Sequence, residues 1–298
     1  MSDSPSEHKN DQIIDLEELY FILWLKKISI AIITLFFAIS SILYSLSLPN
    51  IYQSDVILTL SDNSNEGITG QSALTGLTAS LGIGGGGSKV NPAKLAVAIM
   101  KSWGFSEEII ERNDLKVVLA ASEGWNQDDN YQILDQEIYD SKRGLWVNEP
   151  NSWELFQKLK SKVSITYAER DQFITLSVKD YSPYLAKKIV EIYISAINDH
   201  MRKRQITQSN KNLIYLEAQL EKINNNSLKQ VFYQLILQEN KSKMMAEANP
   251  EFTFVIVSKP MLPLVKAEPR RSIIVVSLTL FGFLISCLYF LFKGRTRN

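Results

Sequence analysis

Two long apolar runs at opposite ends of the chain constrain its architecture more than any other feature. The first run extends from Ile28 to Leu48 and the second from Ser272 to Phe292, and neither contains Asp, Glu, Lys or Arg. A helix of about 21 residues, rising about 1.5 Å per residue, is long enough to cross a hydrocarbon core of about 30 Å. No comparable run occurs between them. The sequence therefore predicts one large extramembrane domain, residues 49–271, anchored in a membrane at both ends.

Charges beside the first run predict the direction in which the chain crosses the membrane. Lys26 and Lys27 precede the run, and no Lys or Arg follows until Lys89. By the positive-inside rule, residues 1–27 are predicted to be cytoplasmic and the large domain to be exported.

The second run, residues 272–292, is then predicted to return the chain to a cytoplasmic tail, residues 293–298. Arg270 and Arg271 directly precede this run, so its own charge bias is weak and the topology depends mainly on the first span. The alternative for the first run is a cleaved signal peptide. Its apolar core is longer than signal peptides usually have, and no small-x-small cleavage site follows it, so we favour a retained anchor.

Composition argues against several classes of function. The chain carries 32 basic and 32 acidic residues, and this balance leaves no excess of positive charge for nucleic acid. Its single cysteine, Cys287, lies in the second apolar run, so the exported domain is predicted to contain no disulfide. We therefore expect no nucleic-acid partner and a domain that is stabilised by packing.

The exported domain is predicted to have an α+β base, formed by residues 49–183 and 250–258. Segments rich in β-branched and aromatic residues predict its strands. These segments are Tyr52–Leu60, Val163–Tyr167, Phe173–Lys179 and Phe252–Val257, of which the second and third are predicted to pair. Pro92 is predicted to open a helix. The glycine-rich segment 69–88 is predicted to be mobile.

Residues 184–249 are predicted to form a long helical hairpin. Pro183 opens a helix that continues to Ile223, and residues 228–247 return after a turn. Apolar residues recur along the first helix at spacings of three and four, as in coiled coils. The first section of this seam is Leu185, Ile189, Ile192 and Ala196, and the second is Leu213, Leu216, Leu220 and Ile223. Residues 199–212 between them are mostly polar and are predicted to be exposed. A helix of this length extends about 60 Å. We predict that the hairpin protrudes and that its seam contacts partner subunits. The alternative is a helix that lies flat on its own sheet.

No pattern in the chain predicts a catalytic, metal or cofactor site. The segment Gly82–Lys89 has the order Gly-Ser-Lys, whereas a phosphate-binding loop needs Gly-Lys-Ser or Gly-Lys-Thr. The two histidines, His8 and His200, lie in different predicted compartments, so they form no metal pair or nucleophile-activating pair. We predict a chain that is not an enzyme.

Two clusters leave open a contact with lipid-linked polysaccharide. The long helix carries the cationic run Met201–Arg204, which is either a solvated face or a site for anionic groups. Several aromatic residues lie among acids and amides, as they do at sugar-binding surfaces; they are Trp125, Tyr131, Tyr139, Trp146 and Trp153. Aromatic residues also form cores and interfaces, and that alternative stays open.

The segment before the second span, residues 259–271, is predicted to be a stiff connector. It contains Pro260, Pro263 and Pro269; each proline restricts its own φ, lacks an amide donor and favours extended geometry in the preceding residue. Within the span, Gly282 and Ser286 lie four residues apart, so their small side chains share one helix face and predict close helix packing.

These features together resemble the Wzz-type chain-length determinants, a family of polysaccharide co-polymerases. The residues that carry the resemblance are Pro260-x-x-Pro263, Glu268-Pro269-Arg270 and, within the span, Gly282. The family has Ser-Pro-Lys and a Gly-Gly-Met cluster at the last two places. Its pattern is also similar at Ile14–Leu19, at Phe173–Val178 and in the long helix.

The resemblance implies an inner-membrane protein with a periplasmic α+β domain, a long protruding hairpin and assembly into a ring of identical subunits. Such proteins set the modal length of lipopolysaccharide O-antigen, which a separate membrane polymerase makes. The residues expected to couple the domain to the membrane are Pro260, Pro263, Pro269 and Arg270. Because the chain stops at Asn298, the branch with an appended tyrosine kinase is not expected.

Three other functions are considered. Within the family, the chain is alternatively a co-polymerase for capsule or for enterobacterial common antigen. From another class, a two-span receptor or sensor predicts a sizeable cytoplasmic output module. Only residues 1–27 and 293–298 are predicted to be cytoplasmic, which argues against this alternative. A membrane-bound periplasmic enzyme predicts a convergent set of titratable groups, which the sequence does not show.

Overall fold

The computed structural model describes residues 24, 26–61, 91–126 and 131–295. The predictions for most of the N-terminal tail, the glycine-rich segment 69–88, the Gly82–Lys89 loop and residues 296–298 lie outside these residues. The chain divides into two compact units, which are described separately. One consists of Met1–Pro49 with Glu268–Asn298, and the other is Asn50–Ala267.

The described residues form eight helices and eight strands. The helices are α1 Lys27–Ser47, α2 Pro92–Met100, α3 Trp103–Arg112, α4 Lys116–Ala121, α5 Ser152–Lys162, α6 Pro183–Leu220, α7 Asn226–Ala248 and α8 Arg271–Arg295. The strands are β1 Tyr52–Leu60, β2 Ser122–Asn126, β3 Tyr131–Leu134, β4 Tyr139–Asp140, β5 Leu145–Trp146, β6 Val163–Ala168, β7 Phe173–Asp180 and β8 Phe254–Ser258. A mixed α/β fold with apolar helices near both ends and one long helix is therefore confirmed.

Helices α1 and α8 form the first unit and have the length and apolar composition of membrane spans. Most of their large apolar side chains face outward and are not buried against protein. The core helix of a soluble protein buries such side chains, whereas a membrane helix exposes them to lipid. We therefore treat α1 and α8 as the two spans of a two-pass membrane protein.

A four-stranded antiparallel sheet, in the order β6-β7-β1-β8, organises the second unit. The predicted pairing of β6 with β7 is confirmed, with Ile165 opposite Leu176. Burial alternates along β7, as expected when one face of a sheet covers a core and the other faces solvent. Val56 and Leu58 of β1 lie on the same buried face. The core therefore lies on one side of the sheet, against the helices.

The first part of α6 belongs to this core. Its start follows local chemistry, because Pro183 occupies the first turn and the Ser182 side chain accepts a hydrogen bond from the Leu185 amide. The buried positions form a broad face, which consists of Leu185, Ala186, Ile189, Val190, Tyr193, Ile194, Ile197, Asn198 and Met201. The predicted stripe of Leu185, Ile189, Ile192 and Ala196 describes only one side of this face. A helix that packs on a sheet buries a wider surface than a helix in a two-helix seam.

The second part of α6 packs against α7. Asn225 begins α7, since its side chain accepts hydrogen bonds from the Ser227 and Leu228 amides. The buried residues of this pair, which include Leu213, Leu216 and Leu235, lie outside the core cluster of the base. Helix α6 therefore lies on its own sheet up to Met201 and forms a hairpin with α7 beyond that residue. The hairpin predicted from residue 184 consequently begins about five turns later.

Tyr193 makes the stability of the base dependent on pH in the alkaline range. Its side chain is buried against Phe105, with ring centroids 5.8 Å apart, and it is hydrogen-bonded to Ser106. Burial raises the pKa of Tyr193 to about 12, and the Ser106 bond opposes this rise. The unfolded tyrosine ionises near pH 10, so the folded state binds the proton more tightly and stability falls as the pH rises between these values.

We expect Tyr193 to lower the free energy of unfolding by about 1.4 kcal/mol at pH 11 relative to pH 8.5. A Tyr193→Phe variant lacks the ionising hydroxyl and should lose this part of the pH dependence. Urea unfolding of both proteins across this range, followed by tryptophan fluorescence, measures the difference. Parallel pH profiles for the two proteins would contradict the assignment.

Candidate functional site

Within residues 26–61, 91–126 and 131–295, no group of three or more His, Cys, Asp or Glu side chains is placed to hold a metal ion. Asp128 and Asp129 lie outside the described residues, and Glu169, in the turn between β6 and β7, forms a surface ion pair with Lys94 at 2.6 Å. This pairing raises the pKa of Lys94 and lowers that of Glu169. The candidate functional elements are those that connect the large domain to the membrane helices along the chain, namely β8, the proline-rich connector and the helices themselves.

Strand β8 leads directly into the proline-rich connector and is bound to the long helix by Asn198. The Asn198 amide nitrogen donates to the Phe254 carbonyl oxygen at 3.1 Å, and the Phe254 amide donates to the Asn198 side-chain oxygen at 2.9 Å. Both residues are buried. Because β8 is an edge strand of the sheet, the asparagine occupies the place that a further strand would take. This pair of bonds fixes the strand relative to the helix.

The connector itself is tied to the beginning of β1. The buried Ser54 hydroxyl donates to the Met261 carbonyl oxygen at 3.0 Å. Further along, the Ala267 amide donates to the Ile51 carbonyl oxygen at 2.8 Å. Pro260 and Pro263 lie in this tied segment and are half-buried. The segment is thus held by a side-chain bond and a backbone bond as well as by its prolines. Its stiffness stays a prediction.

The remaining predicted coupling residues belong to the unit with the membrane helices. Pro269 is half-buried, and Arg270 is exposed directly before α8. The Arg270 carbonyl oxygen accepts hydrogen bonds from the Ile273 and Ile274 amides, at 2.9 and 3.3 Å. Arg270 therefore closes the first turn of the second span with its backbone and presents its side chain to solvent.

Small residues bring the two membrane helices close together. Gly282 is buried, and a Cβ atom added to it would overlap the side chain of Phe37 on α1. Ser286, one turn further along α8, is also buried, as are Ser41 and Ser45 on α1. Gly282 and Ser286 thus face the other span of the same chain, where small residues allow close helix approach.

The predicted hairpin contacts differ in their exposure. Leu213 and Leu216 are buried within the hairpin, whereas Leu220 and Ile223, nearer its tip, are half-buried. Their contact with partner subunits stays a prediction. Other apolar side chains of the two hairpin helices are exposed, among them Ile214, Tyr215, Tyr233 and Leu237.

The polar middle of the hairpin is occupied by hydrogen bonds between the two helices. Gln205 donates to Ser242 at 2.9 Å, and Asn212 donates to the buried Glu239 carboxylate at 3.0 Å. The sequence predicted an exposed polar segment here. Polar residues at the same spacing as the apolar seam instead face the returning helix, where paired polar groups define the register of two helices.

Most of the aromatic residues considered for sugar contact pack within the chain. Trp125 contacts Tyr52 and Tyr184 edge-on, with ring centroids 5.8 and 6.3 Å apart. Tyr139 and Trp146 pair across the β4-β5 ladder at 5.0 Å. Tyr131 and Trp153 are exposed.

Sequence reasoning missed Asn198 and Ser54, the two polar residues that hold β8 and the connector. A signal for Asn198 was present, since it interrupts an apolar helix face at the spacing of Ile194 and Met201. A polar residue on a buried face requires a hydrogen-bond partner. Ser54 carries no such signal, because an alternating strand tolerates a serine on either face.

The N-terminal third of the chain matches a known protein family. Residues 12–112 match a family model described as Wzz, chain length determinant protein. The resemblance to the Wzz family is confirmed. The match supports polysaccharide chain-length regulation as the general class of function and a two-pass inner-membrane location, and Wzz proteins act as co-polymerase regulators without catalysing the polymerisation.

Two solved structures of polysaccharide co-polymerases are similar to this chain. One is a full-length bacterial polysaccharide co-polymerase, 15% identical, with a TM-score of 0.41; the match covers 95% of this chain and 99% of that one. The other is a fragment of WzzB, a polysaccharide co-polymerase from Salmonella Typhimurium, 14% identical, with a TM-score of 0.33; it covers 74% of this chain and 100% of the fragment. No curated protein matches the chain.

Proposed function

We propose that this chain sets the modal length of lipopolysaccharide O-antigen made by a separate membrane polymerase. The observation that carries the proposal is the match of residues 12–112 to the chain length determinant family. The architecture is compatible with this role, since two apolar helices flank a domain that has its own core and a long hairpin. In this proposal the domain is periplasmic, both termini are cytoplasmic, and no residue has a catalytic role.

The chain acts, in this proposal, as a ring-forming scaffold of identical subunits. A hairpin with exposed apolar residues on both helices is a surface that a second copy would cover. Ile214 and Tyr215 on α6, with Tyr233 and Leu237 on α7, supply that surface. Because Leu213 and Leu216 are already buried, we assign them to the hairpin's own stability and the exposed residues to contacts between copies.

The connector is proposed to couple the domain to the membrane helices, which contact the polymerase. Strand β8 is held to the long helix by Asn198, and the segment after it is held to β1 by Ser54. A displacement of the hairpin base would therefore pass to residues 259–267 without being absorbed by a loose linker. Prolines stiffen such a path because they remove backbone freedom.

Replacing two connector prolines should change the length distribution of the polysaccharide. We expect Pro263→Ala with Pro269→Ala to leave the protein in the membrane at its normal level but to abolish the preferred length, because the connector gains backbone freedom. The measurement is a gel of surface polysaccharide from a deletion strain that expresses the variant. Pro250→Ala, at an exposed turn outside the connector, is the matched control. An unchanged distribution in the double variant would remove the coupling role.

The deletion strain itself tests the broader proposal. Loss of the preferred length of O-antigen, restored by the unaltered chain, supports the assignment to lipopolysaccharide. If instead capsule or enterobacterial common antigen loses its preferred length, the chain serves that polymer. If every surface polysaccharide keeps its length, the function proposed here is wrong.

A further inference from the structure

The part of the connector that precedes the second membrane helix in the chain exposes an unusual group of large apolar side chains. Met261, Leu264 and Val265 have 77%, 88% and 77% of their surface exposed. All three lie in the nine residues 259–267, which also contain Lys259 and Lys266 and no acidic residue. Contiguous exposed apolar residues of this kind mark an interaction surface and are uncommon on a freely solvated loop.

The fold turns these side chains outward while it satisfies the backbone behind them. The Met261 carbonyl oxygen accepts from the buried Ser54 hydroxyl at 3.0 Å, and the Ala267 amide donates to the Ile51 carbonyl oxygen at 2.8 Å. The backbone is therefore fixed on both sides of Leu264 and Val265, at Met261 by β1 and at Ala267 by the residue that precedes β1. The outward orientation of the apolar side chains is a property of the folded domain and does not depend on a loose loop.

Chain length keeps the connector close to the membrane. Ile51 lies four residues after the end of the first span at Ser47, and Ala267 lies four residues before the start of the second at Arg271. Four fully extended residues reach at most about 14 Å. Ile51 therefore lies within about 14 Å of the end of the first span, and Ala267 lies within the same distance of the start of the second.

We infer that Met261, Leu264 and Val265 insert into the interfacial region of the bilayer on the side of the large domain, with Lys259 and Lys266 at the phosphates of anionic lipids. Apolar side chains flanked by cations are the usual composition of segments that lie in this region. Exposed Lys259 and Lys266 complement anionic headgroups and would oppose a second copy of the same positively charged segment. The membrane contact is separate from the proposed role in chain-length control and does not require it.

Site-directed spin labelling of the full chain in lipid nanodiscs tests this inference. Cys287→Ser removes the chain's single cysteine, and Leu264→Cys then carries a nitroxide. Power saturation compares collisions with oxygen, which partitions into lipid, and with a water-soluble nickel chelate. We expect the oxygen-to-nickel ratio at 264 to be several-fold higher than at Leu145→Cys, a matched control on β5 of the base whose leucine is 61% exposed and has no proposed contact with another copy.

Two results would overturn the inference. A ratio at 264 equal to that at 145 would show that the connector is in water. Low access to both reagents would show that it is covered by protein, as in contact with another subunit. Because no polymerase is present in the nanodiscs, and a length phenotype is not part of the measurement, this outcome is independent of the proposed function.

The lysines provide a second readout with the same label. Lys259→Gln with Lys266→Gln should lower the oxygen-to-nickel ratio at 264 in nanodiscs of phosphatidylglycerol and phosphatidylcholine. The same change should have little effect in phosphatidylcholine alone, because the attraction of cations to anionic lipid is electrostatic. If the ratio is unchanged in the anionic nanodiscs, the assigned role of the two lysines is wrong.

Discussion

Replacing Asp180 with alanine is expected to lower the free energy of unfolding of the large domain by about 3 kcal/mol, since breaking a buried ion pair leaves the remaining charge without compensation. The Asp180 side chain is completely buried at the end of β7. Its carboxylate accepts from the Lys162 ammonium at 2.5 Å and from the Ser182 amide at 3.0 Å. Ser182 is in turn the residue that caps α6. The change therefore affects both the ion pair and the start of the long helix.

The measurement is urea unfolding of the full chain in detergent, followed by tryptophan fluorescence. Four of the five tryptophans lie in the large domain, so the signal reports mainly on that unit. Glu108→Ala is the matched control, because Glu108 pairs with Arg112 at 3.0 Å on an exposed helix face, where an ion pair contributes at most about 1 kcal/mol. Equal effects of the two substitutions would show that burial of the Asp180–Lys162 ion pair does not increase its contribution to the free energy of unfolding.

A double variant separates the ion pair from the helix cap. Asp180→Asn retains an oxygen for the Ser182 amide, and Lys162→Met removes the partner charge while keeping an aliphatic side chain. We expect the combination to be more stable than the sum of the single changes predicts, because each single variant leaves one unpaired charge in the protein interior whereas the double variant leaves none. Simple additivity would argue that the two groups do not interact.

The second large effect is expected at Asn198. Asn198→Ala should lower the free energy of unfolding by about 2 to 4 kcal/mol, because it leaves the buried amide and carbonyl of Phe254 without their partner. Asn198→Asp keeps an acceptor for the Phe254 amide but places a carboxylate oxygen against the Phe254 carbonyl. We therefore expect the aspartate to be a poor replacement despite its similar shape.

Amide hydrogen exchange localises the effect to the path from helix to connector. In Asn198→Ala, peptides that contain β8 should exchange faster than in the unaltered chain, and peptides from β6 and β7 should change less. Gln208→Ala is the control, because Gln208 is exposed on the same helix and donates a hydrogen bond to Asn212 within that helix. If exchange in β8 is unaffected by the loss of Asn198, that residue does not hold the strand.

Local patterns predicted most of the elements of this fold. The first strand was predicted at the residues where it lies, Tyr52–Leu60, and the long helix was predicted to begin at Pro183. The two spans were predicted to within a few residues, because a long apolar run without charged residues itself defines the length and position of a membrane helix. Each of these signals lies within the segment that it describes.

The candidate site was predicted only in part. The prolines of the connector were identified from their chemistry, but the residues that hold the connector were not. Ser54 and Met261 are 207 residues apart in the chain, and Asn198 and Phe254 are 56 apart. No periodicity relates such residues, since their contact depends on how strands and helices are paired in the folded domain.

The sequence by itself determined that the chain has two apolar helices able to span a membrane, a domain of strands and helices between them, and a proline-rich connector before the second. These properties follow from hydrophobicity and backbone restriction, which act over a few neighbouring residues. Only the tertiary structure decided which face of the long helix is buried, which polar residues join it to β8, and which connector side chains face outward. Those outcomes depend on the order and register of the sheet, which brings distant residues together.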